Sequence, residues 1–137
     1  MSVFVKFQPF CEKLCEKAHN LGSDQLTIAL CATANAPVAT NGVLADLTQI
    51  SYTNLSTRNV TTSSSSQTGG TYSLVIADLV LTASGGAVAA FQYVVLYNST
   101  ATNSELIAYW DIGQASTLQD TDTYTLDFPA AGVLTLV

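Results

Sequence analysis

Three potential soft-metal ligands stand close together near the start of the chain: Cys11, Cys15 and His19, at i, i+4 and i+8. On a helix that spacing lines them along one side, where zinc binding or a cysteine nucleophile with a histidine base are the chemistries to weigh. Zinc asks for four ligands, usually drawn from two segments, and successive helical turns point their side chains nearly parallel, so the trio does not close a site. The same geometry turns the two cysteine Cβ vectors away from each other, which argues against a disulfide. A hydrolytic pair needs its base aimed across at the thiol and an oxyanion pocket, and His19 is the sole histidine. The simpler reading makes Cys11 and Cys15 small core residues within an apolar stripe, with His19 at its margin.

Other constellations are weaker. Asp120, Asp122 and Asp127 cluster in "QDTDTYTLDF", but the spacing lacks the glycine and terminal glutamate of a calcium loop and fits a solvated turn entering a strand. Trp110 with Tyr109, Tyr93 and Tyr97 could form a sugar platform, yet "FQYVVLY" and "IAYW" are where a β core places its bulk. No GxSxG, P-loop or GxGxxG occurs, and the paired glycines mark turns. These observations assign no catalytic residue, no metal and no cofactor, and an enzyme is the least favoured class.

The elements that would position these residues follow from periodicity. Phe7, Phe10, Cys11, Leu14, Cys15, Ala18 and Leu21 form a helical stripe, with Pro9 in the first turn and "NLG" at the end, predicting one helix from Phe7 to about Leu21. Beyond Gly22 the period becomes two: "QLTIALC", "ELIAYWDI", "TYTLDF" and "GVLTLV" read as strands, and "FQYVVLYN", apolar on both faces, reads as a central one. "NVTTSSSSQT" carries β-favouring threonines and runs into Gly69-Gly70 and "TYSLVI", so it reads as an outer or edge strand of a hairpin, with a mobile loop as the alternative. The expected fold class is all-β: a two-sheet antiparallel sandwich, jelly-roll-like, with one short N-terminal helix. A Greek-key sandwich of other connectivity stays open. The expected division is an N-terminal arm and amphipathic helix over residues 1–22 and one β-sandwich domain over 23–137.

Composition narrows the partners. Charged residues make up 10% of the 137, against the roughly 25% usual in soluble domains, while Ser and Thr number 31. A surface of hydroxyls and amides suits close contact with other subunits. The net charge is −6, and all four bases, Lys6, Lys13, Lys17 and Arg58, precede an acidic remainder with six acids and none. That balance disfavours nucleic acid and anionic membranes, and no apolar run approaches the ~18 residues that would span a bilayer. The opening residues lack a secretory signal, and three cysteines with no framework spacing fit synthesis in a reducing cytoplasm. The sequons at Asn54, Asn59 and Asn98 then read as chance in a Ser/Thr-rich chain.

Several segments together resemble a family of small virion proteins encoded among the head genes of tailed bacteriophages. They are "KFQPFCEKLCEKAHNLGSDQLTIALC", "APVATNGVLADLTQI", "SSSSQTGGTYSLVIADLVLTASGGAV", "FQYVVLYN" before "IAYWDIG", and the "DFPAAGVLTLV" ending. The resemblance covers nearly the whole chain and contains no catalytic motif. It implies a β-sandwich cement or decoration protein on the outer surface of the phage capsid, clamping neighbouring major capsid subunits, as a homodimer or homotrimer. Similar small sandwiches serve in phage necks, tails and head fibres with carbohydrate- or protein-binding roles, which is the alternative. Because the N-terminal segment holds nearly every base, the expected capsid interface is Phe4, Lys6, Phe7, Lys13, Lys17 and Arg58. An equally weighted reading has Phe4 and Phe7 capping the core.

Overall fold

The computed structural model describes residues 4–137. Residues 1–3 of the expected N-terminal arm lie outside the described residues. In chain order the elements are β1 (Phe4–Lys6), α1 (Gln8–Cys15), β2 (Leu26–Cys31), β3 (Thr62–Thr68), β4 (Thr71–Ile76), β5 (Leu79–Thr82), β6 (Phe91–Asn98), β7 (Leu106–Ser116), β8 (Thr123–Leu126) and β9 (Leu134–Leu136). The chain is therefore mostly β, with one helix, and all its strand pairs are antiparallel.

The strands form three sheets, of order β1-β7-β6-β2, β3-β4-β9 and β5-β8. β6 lies between β7 and β2, as two apolar faces require. Its side chains alternate between two cores. Val94 and Leu96 enter a large cluster with Ile28, Trp110, Leu74 of β4, Leu81 of β5 and Leu126 of β8, so all three sheets share it. Val95 and Tyr97 face the other way, into a smaller cluster with Phe7, Ala29, Cys31 and Leu106 that Leu44 and Leu47 cover. A 3₁₀ turn at Leu44–Asp46 seats that cover, and the Asp46 carboxylate holds the turn by accepting the Gly42 and Val43 amides at 2.8 and 3.1 Å. Those two bonds hold its carboxyl below the usual range. Cys31 is sealed in the smaller cluster, where burial pushes its thiol up to about 11 and keeps it protonated.

The serine-rich stretch is an edge strand. β3 pairs with β4 alone, its exposed hydroxyls turned outward, and Gly69 and Gly70 close the hairpin with φ of 60° and 88°. Two successive positive φ values give the turn whose twist matches the flanking strands, which is why glycine stands at both positions.

The helix is shorter than its apolar stripe. It ends at Cys15 rather than near Leu21, because Lys17 adopts φ 70° while the Ala18 amide donates to the Lys13 carbonyl at 2.9 Å and the Lys17 amide to that of Leu14 at 3.4 Å. This is the Schellman arrangement with lysine in the left-handed position usually given to glycine. With only two turns, the helix buries Phe10 and half-buries Leu14, and both Cys11 and Cys15 lie exposed. The expectation that these cysteines are core residues is thus corrected. β1 hydrogen-bonds to β7, and the Phe7 amide donates to the Ile107 carbonyl at 3.1 Å, so the described part of the 1–22 segment shares the four-stranded sheet.

Candidate docking groove

The six residues expected at an interface separate into two groups. Phe7 is fully buried against Tyr109, with ring centroids 5.1 Å apart, and offers no surface to a partner. Phe4 is half-buried and meets Trp110 edge-on at 5.6 Å. Arg58 is spent within the fold: its Nη1 donates to the Ile28 carbonyl at 2.6 Å, and its guanidinium lies 3.7 Å from the centre of the Tyr52 ring. Tyr52 in turn accepts the Leu30 amide at 2.9 Å, and burial pushes its hydroxyl up to about 12. Phe7 therefore serves the core, the alternative expected for it, while Arg58, half-buried, is tied to the sheet backbone and a tyrosine ring.

The remaining three, Lys6, Lys13 and Lys17, come together along one groove of about 1130 Å³. One wall is α1 and the turn after it; the other is β9, with Tyr72 and the 100–103 loop beside it. Lys6 Nζ sits 2.9 Å from Cys11 Sγ, and Lys13 lies 3.5 Å from the Glu16 carboxylate, both at the exposed rim.

Beneath the lysines is a buried polar cluster. Asn98, fully buried at the end of β6, makes four side-chain hydrogen bonds. Its Oδ1 accepts the amides of Thr100 and Ala101 at 3.0 and 3.1 Å, which fixes the orientation of the side chain. Its Nδ2 then donates to Asp24 Oδ2 at 2.6 Å and to His19 Nδ1 at 3.0 Å. His19 Nδ1 is therefore the acceptor, which places the imidazole proton on Nε2. Burial lowers the His19 pKa below its ordinary value, with the Asp24 charge opposing. Two buried atoms here have no hydrogen-bond partner among the described residues: His19 Nε2 and Glu105 Oε2. Both residues line the groove.

Neither His19 nor Glu105 stood out as an interface residue in the sequence. Glu105 opening the apolar run "ELIAYW" was the available signal, since a carboxylate carried into a buried strand needs a reason. The helical trio does not converge: His19 turns inward to Asn98 while the two thiols are exposed, and the described residues hold no group of three His, Cys, Asp or Glu placed to share a metal ion. Asp120 and Asp122 accept the amides of Gly85 and Gln119 at 3.0 and 2.9 Å, which is turn chemistry. Trp110 is 3% exposed, between Phe4 and Phe128, so it presents no face to a sugar. Asn98, the third sequon asparagine, is likewise closed to modification.

No described helix is long and apolar enough to cross a membrane. Comparison with protein-family models, with curated proteins and with solved structures finds no match to this chain.

Proposed function

We propose that this chain is a structural virion protein of a tailed bacteriophage, which binds the outer surface of the capsid and clamps neighbouring major capsid subunits. The observation that carries the reading is the groove: an acidic chain gathers all three of its lysines, with Glu16, Asp24 and Glu105, around one large cleft that an open strand edge also lines. Charges of both signs set around one cleft favour one docking orientation on a partner of matching pattern. The segments that resemble phage head proteins supply the kind of partner, and the hydroxyl-rich surface suits tight contact without strong desolvation of charge. Three antiparallel sheets around a shared core fit a sandwich of jelly-roll type, which would make the module stiff enough to act as a clamp. Self-association as a dimer or trimer would multiply each contact over a symmetry axis, and many weak contacts repeated on a shell sum to a large stabilisation.

The test is to mix the purified protein with capsids lacking it. Saturable co-sedimentation and a rise in capsid melting temperature are expected. Failure to associate with heads, or association with tails alone, would overturn the proposal.

A further inference from the structure

The two edges of the three-stranded sheet differ. β9 is three residues long, whereas β3 is seven and pairs with β4 alone. Every other described strand with a partner on one side only is shorter, and the next longest, β2, is covered. There the Ile28 amide donates to the Arg58 carbonyl at 2.9 Å, the Val60 amide to that of Leu26 at 3.1 Å and the Ile50 amide to that of Leu30 at 3.0 Å. Among the described residues no such segment lies along 64–68. Folded proteins shield a long edge with charge, with proline or by shortening it. Residues 59–77 contain no charged residue and no proline, and the bulge between Thr62 and Ser64 stops short of the regular stretch 64–68.

The hairpin determines which backbone groups face outward. Gly69 and Gly70 make a two-residue turn, so the flanking Thr68 and Thr71 are a hydrogen-bonded pair and the pattern alternates from there. Thr68, Ser66 and Ser64 direct their amides and carbonyls to β4, while those of Ser65 and Gln67 point away from it. These two outward residues are symmetric about Ser66. A second β3 laid antiparallel with Ser66 on the two-fold axis sets Ser65 of each copy against Gln67 of the other, and each such pair exchanges both backbone hydrogen bonds. The same register sets Ser66 against Ser66 and Ser64 against Thr68 on the exposed face, where the Ser64 and Ser66 hydroxyls already lie 3.2 Å apart and cross-strand hydroxyl pairs add stability. Charge selects the same occupant. Two chains of net charge −6 meet with least repulsion through an uncharged surface, which β3 and β4 supply, and a charged foreign strand finds no complement here. We propose that this chain forms a two-fold dimer through β3, giving one continuous sheet of order β9-β4-β3-β3-β4-β9. The pairing closes on itself, so this edge builds a dimer and not a trimer. The inference goes beyond capsid binding and does not depend on it.

Sedimentation equilibrium of the full chain over a concentration series tests the dimer. Expected is a reversible monomer–dimer equilibrium. Ser66→Lys and Ser66→Glu each bring two like charges together on the axis, at an exposed position, and each alone should raise the dissociation constant roughly tenfold or more. An equimolar mixture of the two variants should recover dimer to within about threefold of the unaltered chain, a rescue that a misfolded variant would not give. A monomer up to about 1 mM, a trimer, a dimer that both variants leave unchanged, or variants whose mixture stays monomeric would overturn the proposal. Binding to heads is scored separately. A monomeric chain that still binds heads would remove the dimer and leave the capsid proposal standing, whereas a dimer that ignores heads would do the opposite.

Discussion

Two buried regions on neighbouring strands are built on opposite principles. Around Trp110 the interior is dry: Phe4 and Phe128 meet the indole at 5.6 Å each, and the apolar cluster shared by the three sheets surrounds it. Around Asn98 the interior is polar, with an amide, an imidazole and two carboxylates within the fold and every atom of the Asn98 side chain committed. The first region holds by shape and area, so it is indifferent to pH and offers a ligand nothing. The second holds by directed bonds, and it sits under the lysine groove. Under the proposed function, the dry region serves stability and the polar region lies beneath the surface offered to a partner.

The largest effect expected from breaking this contrast comes from the dry side. Trp110→Ala should cost about 3–5 kcal/mol by cavity formation, read as the denaturant midpoint, with the same loss at pH 5 and pH 8. Asn98→Leu should cost roughly 3 kcal/mol, because it strands two backbone amides, Asp24 and His19 Nδ1 in the interior. That loss should shrink at low pH, where the native partner His19 is itself being compromised.

A smaller effect is the pH dependence itself. Burial sets the folded pKa of His19 below the unfolded value of 6.5, so the unfolded chain takes up the proton first as pH falls. The contribution is complete above pH 6.5 and is lost as pH drops from there toward the folded pKa. His19→Gln should flatten the slope of stability against pH in that window, as measured by chemical denaturation at fixed pH steps. Smallest of all, Lys13→Gln removes a solvent-accessible ion pair with Glu16 and should change stability by less than about 0.5 kcal/mol. A large destabilisation would mean that the lysine rim is structural.

The periodic segments were legible as elements because their physics is local. β6 matches the apolar run from Phe91 to Asn98, and the hairpin at Gly69-Gly70 follows from two glycines between β-favouring runs. The helix was over-read, since its stripe continues past Lys17, where only a backbone torsion and two carbonyl contacts stop it. The groove was half legible. Charge counting singled out the three lysines, but no local pattern shows that β9, more than a hundred residues away, would form the facing wall. Nor does it show that Arg58 would turn to the Ile28 carbonyl and a tyrosine ring, because that depends on a neighbouring strand having a carbonyl to offer. Asn98 looked like an ordinary sequon asparagine, and its role as the hub of a buried cluster arises only when β6, the 19–24 turn and the 100–101 backbone converge.

The central claim is that this chain works by gripping other subunits of a phage head, and imaging the intact virion by electron microscopy tests it most directly. The account predicts density matching the three-sheet body on the outer capsid surface where major capsid subunits meet, with the α1–β9 groove turned toward the shell. A head free of this density, or a virion in which the chain is found only in the tail, would contradict it.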